Sequence, residues 1–301
     1  MMKNFTSQEI KEFVLQPRFE EAPIFGKCAS WPRISIVTPS FNQAPFLERT
    51  ILSVLNQNYP NLEYLIMDGG SSDGSVEIIK KYDKYLSYWV SEPDGGQANA
   101  INKGFKMCSG DILAWLCSDD LYTPGTLKKI AALFVKKEAD LIYGNTYLTD
   151  CNDAILREHR NIPFNGLFSK RAILHGLFSI SQPSMFWSRK LFLNVGGINE
   201  RLSNVLDNDL IIRFLLADPV VVFLRDFLSC ERSHPGQKTQ KFSHVSRSEI
   251  SALRKSYGEA GAIDRVTKFF IYALKAGLYI GQGDIAWLIG RIKGSGKRGL
   301  S

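Results

Sequence analysis

"ISIVTPSFNQAPFLERTILSVLNQNYPNLEYLIMDGG", residues 34 to 70, reads as strand, helix, strand. The runs "ISIVT" and "LEYLIM" have the β-branched, apolar character of buried strands. Between them Pro45 suits the first turn of a helix, and Leu47, Ile51, Val54 and Leu55 recur on one helical face. The same alternation continues through candidate strands "LSYWVS", "DILAWL" and "DLIYG". Helices are expected over "SSDGSVEIIKKY" and from Thr123 and Pro124, read as N-cap and first helical position. From Arg33 to about Tyr143 this is the pattern of a doubly wound α/β layer.

The 301 residues suit one large domain with appendages. Residues 1–32 form an N-terminal arm with a capping signal from Thr6 to Glu9, and 33–245 form the α/β domain. Its second half is mixed, with a helix over "LDNDLIIRFLLA" and a strand at "VVVFL", and builds the other wall of a cleft. Residues 246–301 are a basic helical tail. The net charge is +7, and residues 250 to 301 carry nine Lys and Arg against three Asp and Glu, so nearly all of the excess sits there. It lies among apolar residues at helical spacing, not in a basic groove with stacking aromatics, which argues against nucleic acid as a partner. Val266, Phe269, Phe270, Ala273 and Leu278 fall near one helical face, with Arg265, Lys268 and Lys275 nearer the other. After "GQGD", Ile285, Leu288, Ile289 and Ile292 resume helical spacing, followed by "RIKGSGKRGLS". Two readings stand for 264–301: an interfacial contact with an anionic membrane leaflet, Trp287 included, or packing on the catalytic domain or a second subunit.

Cys28, Cys108, Cys117, Cys151 and Cys230 are an odd number with no zinc-ligand or redox spacing, so a reducing, cytoplasmic setting is expected. The N-terminus lacks the pattern of a secretory signal, and no run approaches the roughly 20 apolar residues that span a bilayer.

Ligands of an open parallel sheet bind beyond the carboxyl ends of its strands. Three polar clusters fall at such ends: "TPSFN", "DGGSSDGS" and "CSDD". Asp68, before two glycines, can turn a carboxylate toward a ligand's N–H or O–H groups, or it can cap its own turn. Asp119 and Asp120 repel one another unless a cation or donors neutralise them, and their oxygens suit Mg2+ or Mn2+ bridged to a diphosphate. The competing reading of this pair is a solvated loop, or Asp120 serving as a local cap. Neither a G-x-G-x-x-G nor a Walker-type loop follows the first strand.

Taken together with "DGGQANAINKGF", "GDILAWLCSDD" and "LDNDLIIRF", the opening stretch resembles a family 2 glycosyltransferase of the GT-A fold, over roughly residues 33 to 240. The resemblance implies an inverting, nucleotide-sugar-dependent enzyme with a Rossmann-like sheet covered by helices on both faces. Thr38, Pro39, Ser40 and Asn42 would cradle the base and ribose, and Asp68 would read the base, commonly uracil. Gln97 would flank the nucleotide, Asp119 would lie near ribose and diphosphate, and Asp120 would bind the metal. Asp207 would be the general base, with Leu206 replacing the Glu that usually precedes it. Cys117 stands where many members have an acidic or amide residue. His234 would assist the metal or diphosphate, the alternative being an exposed loop residue, and Lys238 would support the diphosphate or stay solvated. "QPSMFW" would present Phe186 and Trp187 to a sugar, unless they are core. The acceptor would be a glycan or lipid-linked hydroxyl in bacterial surface polysaccharide or lipopolysaccharide synthesis. The rival function is a catalytically silent sugar-nucleotide or glycan-binding protein on the same fold.

Overall fold

The structure is a computed structural model that describes residues 4–19, 31–163, 172–173, 175, 177–178, 180–238, 243–258, 265–285 and 288–289. Cys28, Trp287, Ile292 and the basic "RIKGSGKRGLS" segment lie outside the described residues. In chain order the elements are α1 (Ser7–Leu15), β1 (Ile34–Ser40), α2 (Ala44–Leu55), β2 (Leu62–Asp68), α3 (Ser75–Lys81), β3 (Tyr88–Ser91), α4 (Gln97–Met107), β4 (Ile112–Trp115) and β5 (Leu121–Tyr122). There follow α5 (Thr126–Lys137), β6 (Leu141–Thr149), β7 (Ile155–His159), β8 (Met185–Ser188), α6 (Arg189–Asn194), α7 (Leu206–Leu216), β9 (Val221–Arg232), α8 (Ser243–Ser256) and α9 (Arg265–Gly281).

The described strands form one nine-stranded mixed sheet in the order β3-β2-β1-β4-β8-β6-β9-β5, with β7 beside β6. Its first four strands are parallel, as the alternating sequence predicts. Every residue of β1 and β2 is buried, which is what helices on both faces require of a central parallel strand. The face of α2 predicted from its spacing is the buried one: Leu47, Ile51, Val54 and Leu55 have no exposed surface and pack with Ile36, Tyr64 and Ile66. The other half departs from a doubly wound layer, because β8 runs antiparallel to both β4 and β6 while β9 lies parallel to β6.

One register detail opens the crevice. Strand β1 pairs with β4 only as far as Val37, yet continues beside β2 to Ser40. Pro39, which has no N–H to give a ladder, therefore sits where one side of the strand is already free. The segment "TPS" is thus the end of a strand rather than a loop.

Helix α5 begins later than predicted. Its N-cap is Gly125, in the left-handed region at φ 79°. The Thr123 hydroxyl instead donates to the Phe227 carbonyl of β9 at 2.7 Å, a partner that no local pattern reveals. The N-terminal capping box is present as read, with Thr6 Oγ1 accepting from Glu9 N and Glu9 Oε2 accepting from Thr6 N. It starts a helix whose Ile10, Phe13 and Val14 join Leu121, Tyr147 and Phe227 in a second core cluster.

The chain divides into two compact units, Met1–Asn161 with Ile180–Ile250, and Ile162–Ser179 with Ser251–Ser301. The sheet lies wholly in the first. In the second, α9 buries Ile271 and Tyr279, and Lys275 Nζ donates to the Leu177 carbonyl at 3.0 Å. The face grouped from the sequence is the open one: Val266, Phe269 and Phe270 are 63%, 68% and 64% exposed.

Candidate active site

The carboxyl ends of β1, β2 and β4 point the same way because the strands are parallel, and the loops that leave them are cross-tied. Asn42, at φ 52°, donates its backbone N–H to Ser71 Oγ at 2.7 Å and accepts from Ser72 N at 2.9 Å. Asp73 Oδ2 accepts from Ala44 N at the start of α2. Asp68 is buried, and its oxygens accept from Ser71 N, Ser71 Oγ, Ser91 Oγ and Gly70 N. A carboxylate has about four acceptor positions, so the turn-capping reading of Asp68 accounts for its geometry here. Thr38 is fully buried, with its hydroxyl 3.1 Å from that of Tyr64. Ser40 differs, for its buried hydroxyl has no hydrogen-bond partner among the described residues.

The turn that carries Asp119 and Asp120 is closed by Asp120 N donating to Cys117 O at 2.9 Å. Thr50 Oγ1 of α2 lies 2.8 Å from the carbonyl oxygens of both Ser118 and Asp120. From β9, Arg232 donates its backbone N–H to Asp120 Oδ1 at 3.2 Å and Nη1 to the Asp119 carbonyl at 3.0 Å. The Arg232 side chain is wholly buried, and its Nε meets Asp153 Oδ1 at 2.5 Å while Arg49 Nη1 meets Asp153 Oδ2 at 2.5 Å. Sequence reasoning missed this clamp, because its members lie far apart in the chain.

His234 joins the same group. Its Nε2 is 3.0 Å from Asp119 Oδ2, and its ring lies 4.4 Å, centroid to centroid, from that of Phe46. It is buried, not an exposed loop residue. Gln97, at the start of α4, donates Nε2 to Cys117 Sγ at 3.3 Å and accepts from Lys238 Nζ at 3.4 Å. Lys238 also donates to the Ser203 carbonyl at 2.7 Å, so it spans from the donor loops to the segment before α7. Burial lowers its pKa.

Asp207 lies in the first turn of α7, where Glu249 of α8 accepts from the backbone N–H groups of Ser203, Asn204 and Val205. Asp207 Oδ1 accepts from the N and Nδ2 of Asn208 at 2.9 and 3.2 Å. Burial raises its pKa, and these hydrogen bonds only partly oppose that. Leu206 is buried as an apolar plug, and Asp209 pairs with Arg213 at 2.7 Å, so neither offers a second carboxylate to the base. Glu231 does. This β9 residue was not foreseen, and burial followed by the charges of Asp207 and Asp119 holds its pKa up against Arg157. Phe186 and Trp187 are wholly buried, which settles them as core.

These groups create a strongly negative crevice. Asp120 is held well above the usual carboxylate range by burial, then by Asp119 and Glu231, with Arg232 opposing. The Cys117 thiol is pushed up by burial and then by Asp120, Asp119, Asp207 and Glu231 in turn. Cys117 Sγ and carboxylate oxygens of Asp119 and Asp120 lie within 4.8 Å of one another. The crowding of acidic donors that cannot all ionise alone fits a divalent cation, which supplies the missing charge.

A model described as glycosyl transferase family 2 matches residues 35–196. The chain belongs to this family. An uncharacterized glycosyltransferase of Mycobacterium tuberculosis is 32% identical over 197 residues, 64% of this chain and 73% of that protein. One from Rickettsia felis is 31% identical over 234 residues, 75% of this chain but 38% of that protein. S. aureus TarS 1–349, crystallised in complex with UDP-GlcNAc, has a TM-score of 0.59 and 19% identity, covering 83% of this chain and 73% of that one. At that identity the likeness is one of fold. The activity class of the chain is glycosyl transfer, and the mixed sheet with its covering helices is the fold that carries it.

Proposed function

We propose that this family 2 glycosyltransferase is an inverting, metal-dependent enzyme of the GT-A type. It moves a sugar from a nucleoside-diphosphate sugar, uridine-linked, to a hydroxyl of a glycan or lipid-linked acceptor in bacterial surface polysaccharide or lipopolysaccharide assembly. The observation that carries the reading is the convergence of Asp119, Asp120, His234 and Asp207 at the strand ends. The UDP-GlcNAc bound by TarS supports the donor class.

In this reading Ser40 offers its free hydroxyl to the nucleotide, Pro39 and Asn42 shape the rim beside it, and Asp68 meets the base from its braced turn. Gln97 lies between donor loop and Lys238. Asp119, Asp120 and His234 hold Mg2+ or Mn2+, which when bound offsets charge on a leaving diphosphate. Asp207 takes the proton of the attacking hydroxyl through the oxygen that Asn208 does not hold. Its raised pKa suits a base, since a carboxylate closer to the working pH accepts a proton more readily. Glu231 keeps the field around that proton negative. With the base on the acceptor side and the diphosphate opposite, attack from behind inverts the anomeric carbon.

Calorimetric titration with UDP, dTDP and GDP, each with Mn2+ and with chelator, tests the donor site. Metal-dependent binding of UDP, lost in Asp120→Ala, is expected. Tight binding without transfer to any acceptor or slow donor hydrolysis would favour the silent binding protein.

The tail reading follows the open face of α9. No helix among the described residues is long and apolar enough to cross a membrane. Val266, Phe269 and Phe270 with Lys268 instead suit shallow insertion at an anionic leaflet on the cytoplasmic side. Sedimentation with anionic vesicles is expected to fall sharply on removing residues 264–301, and undiminished binding would overturn this contact.

A further inference from the structure

Three donors meet at one point of the crevice: Cys117 Sγ and one carboxylate oxygen each from Asp119 and Asp120, all within 4.8 Å of one another. Two are the hard oxygens that Mg2+ and Mn2+ take from proteins. The third is a soft ligand that those ions bind weakly and Zn2+, Co2+ and Cd2+ bind well.

The sulfur is also oriented. Gln97 Nε2 donates to it at 3.3 Å, and its own proton faces Gln182 Oε1 at 3.8 Å. Each amide is fixed in turn, Gln182 Nε2 by the Trp115 carbonyl at 2.8 Å and Gln97 Oε1 by Lys238. Outer groups that fix a donor's direction are the usual support of a metal ligand.

We propose that Cys117 is a sulfur ligand of the divalent-cation site, beside Asp119 and Asp120, and that it biases the site toward thiophilic ions such as Zn2+ and Co2+ over Mg2+. This rests on the reading that the loop holds a cation and adds which ion it prefers. On binding, the thiol loses its proton to solvent, and a metal–sulfur bond replaces the S–H contact with Gln182.

The full chain titrated with Co2+, with and without UDP, reads the ligand directly. A sulfur-to-cobalt charge-transfer band in the near ultraviolet is expected. It should vanish in Cys117→Ser and persist in Cys151→Ser, whose thiol is exposed and outside the site. Cadmium affinity should fall at least about tenfold in Cys117→Ser, as loss of a supporting group at metal sites does. Cys117→Asp, which makes the donors all oxygen, should turn the preference toward Mg2+ and Mn2+ and confirms that the loop still folds. Cobalt bound by calorimetry without the band, or a band that survives Cys117→Ser, would overturn sulfur ligation and leave the metal reading standing. Absence of heat with Co2+, Cd2+ and Mn2+ alike, UDP present, would overturn both.

Discussion

The Asp119–Asp120 turn and the Asp207 turn hold carboxylates in opposite ways. The first is braced from three elements: Thr50 of α2 under its carbonyls, Arg232 of β9 on Asp120 Oδ1 and the Asp119 carbonyl, and His234 on Asp119 Oδ2. Behind it Asp153 is gripped by two arginines. The second is held only from within its own turn: among the described residues the hydrogen bonds to the Asp207 carboxylate come from Asn208, on Oδ1, and from the Asp207 backbone itself. Folding has fixed one carboxylate pair from distant elements and holds the other only by its own turn. A group that must hold a polyanion and its counter-ion benefits from preorganisation. A base that must meet an incoming hydroxyl needs an open lone pair.

The largest effect should come from the second carboxylate. Asp207→Asn is expected to lower kcat by about 10²- to 10⁴-fold, the usual worth of a general base, while UDP binding is kept. Burial raises the Asp207 pKa, so the acid limb of kcat/KM should fall at a higher pH than an aspartate near ~3.9 would give, activity being lost as pH drops through it. The stability sign is the reverse. A group whose pKa is raised on folding contributes stability below its unfolded pKa and loses it as pH rises through the folded value. Asp207→Asn should therefore melt no lower than the parent at neutral pH. A variant that melts lower there would make Asp207 a structural residue.

Next comes the clamp. Arg232→Met removes a buried cation and leaves Asp153 with Arg49 alone. Breaking such a pair costs about 3–5 kcal/mol, readable as a lower midpoint in urea. A parent-like midpoint would mean that the loop does not depend on β9, and the contrast between the two turns would lose its basis.

The parts of this contrast were unequally legible. Strand–helix alternation, the buried face of α2 and the strand-end carboxylates are local patterns, and they read directly. The partners that distinguish the two turns are not local. Arg232 and Asp153 are 79 residues apart, and Arg232 and Thr50 are 182 apart. A lone Arg in "CERSH" reads as a surface charge unless the acid that buries it is known. Glu231 was invisible for the same reason, as it faces Asp207 only once β9 is in the sheet. The antiparallel β8 could not be anticipated from "QPSMFW", whose buried aromatics suit either strand direction. Asp68 is the mixed case: its position fits a ligand-facing acid or a turn cap, and the hydrogen bonds it makes are those of the cap, with Ser71, Gly70 and Ser91.

Thr50→Val probes the brace more gently. It keeps the volume and strips the hydroxyl from the Ser118 and Asp120 carbonyls, and leaving buried acceptors unpaired costs about 1–3 kcal/mol. The expected result is a modest loss of stability with a larger KM for donor than change in kcat, since the loop and not the base has been loosened. Equal losses in both constants would mean that the two turns are mechanically coupled.

The smallest effect, and the sharpest test, is Asn208→Ala. It removes the 3.2 Å bond from Nδ2 but keeps the 2.9 Å bond from the Asn208 backbone, so Asp207 retains its backbone donors. A hydrogen bond of this kind is worth about 0.5–1.5 kcal/mol, which predicts a drop in kcat of no more than roughly tenfold and little change in melting temperature. The direction in pH is fixed as well. The Asn208 side chain favours the charged form of Asp207, so its loss raises that pKa further and moves the acid limb to higher pH. Donor affinity should be untouched, because among the described residues no hydrogen bond or ion pair of Asn208 reaches the Asp119–Asp120 turn. Should Asn208→Ala cost as much stability as Arg232→Met, the base would be held as firmly as the donor loop, and the division between a fixed donor side and an open acceptor side would be false.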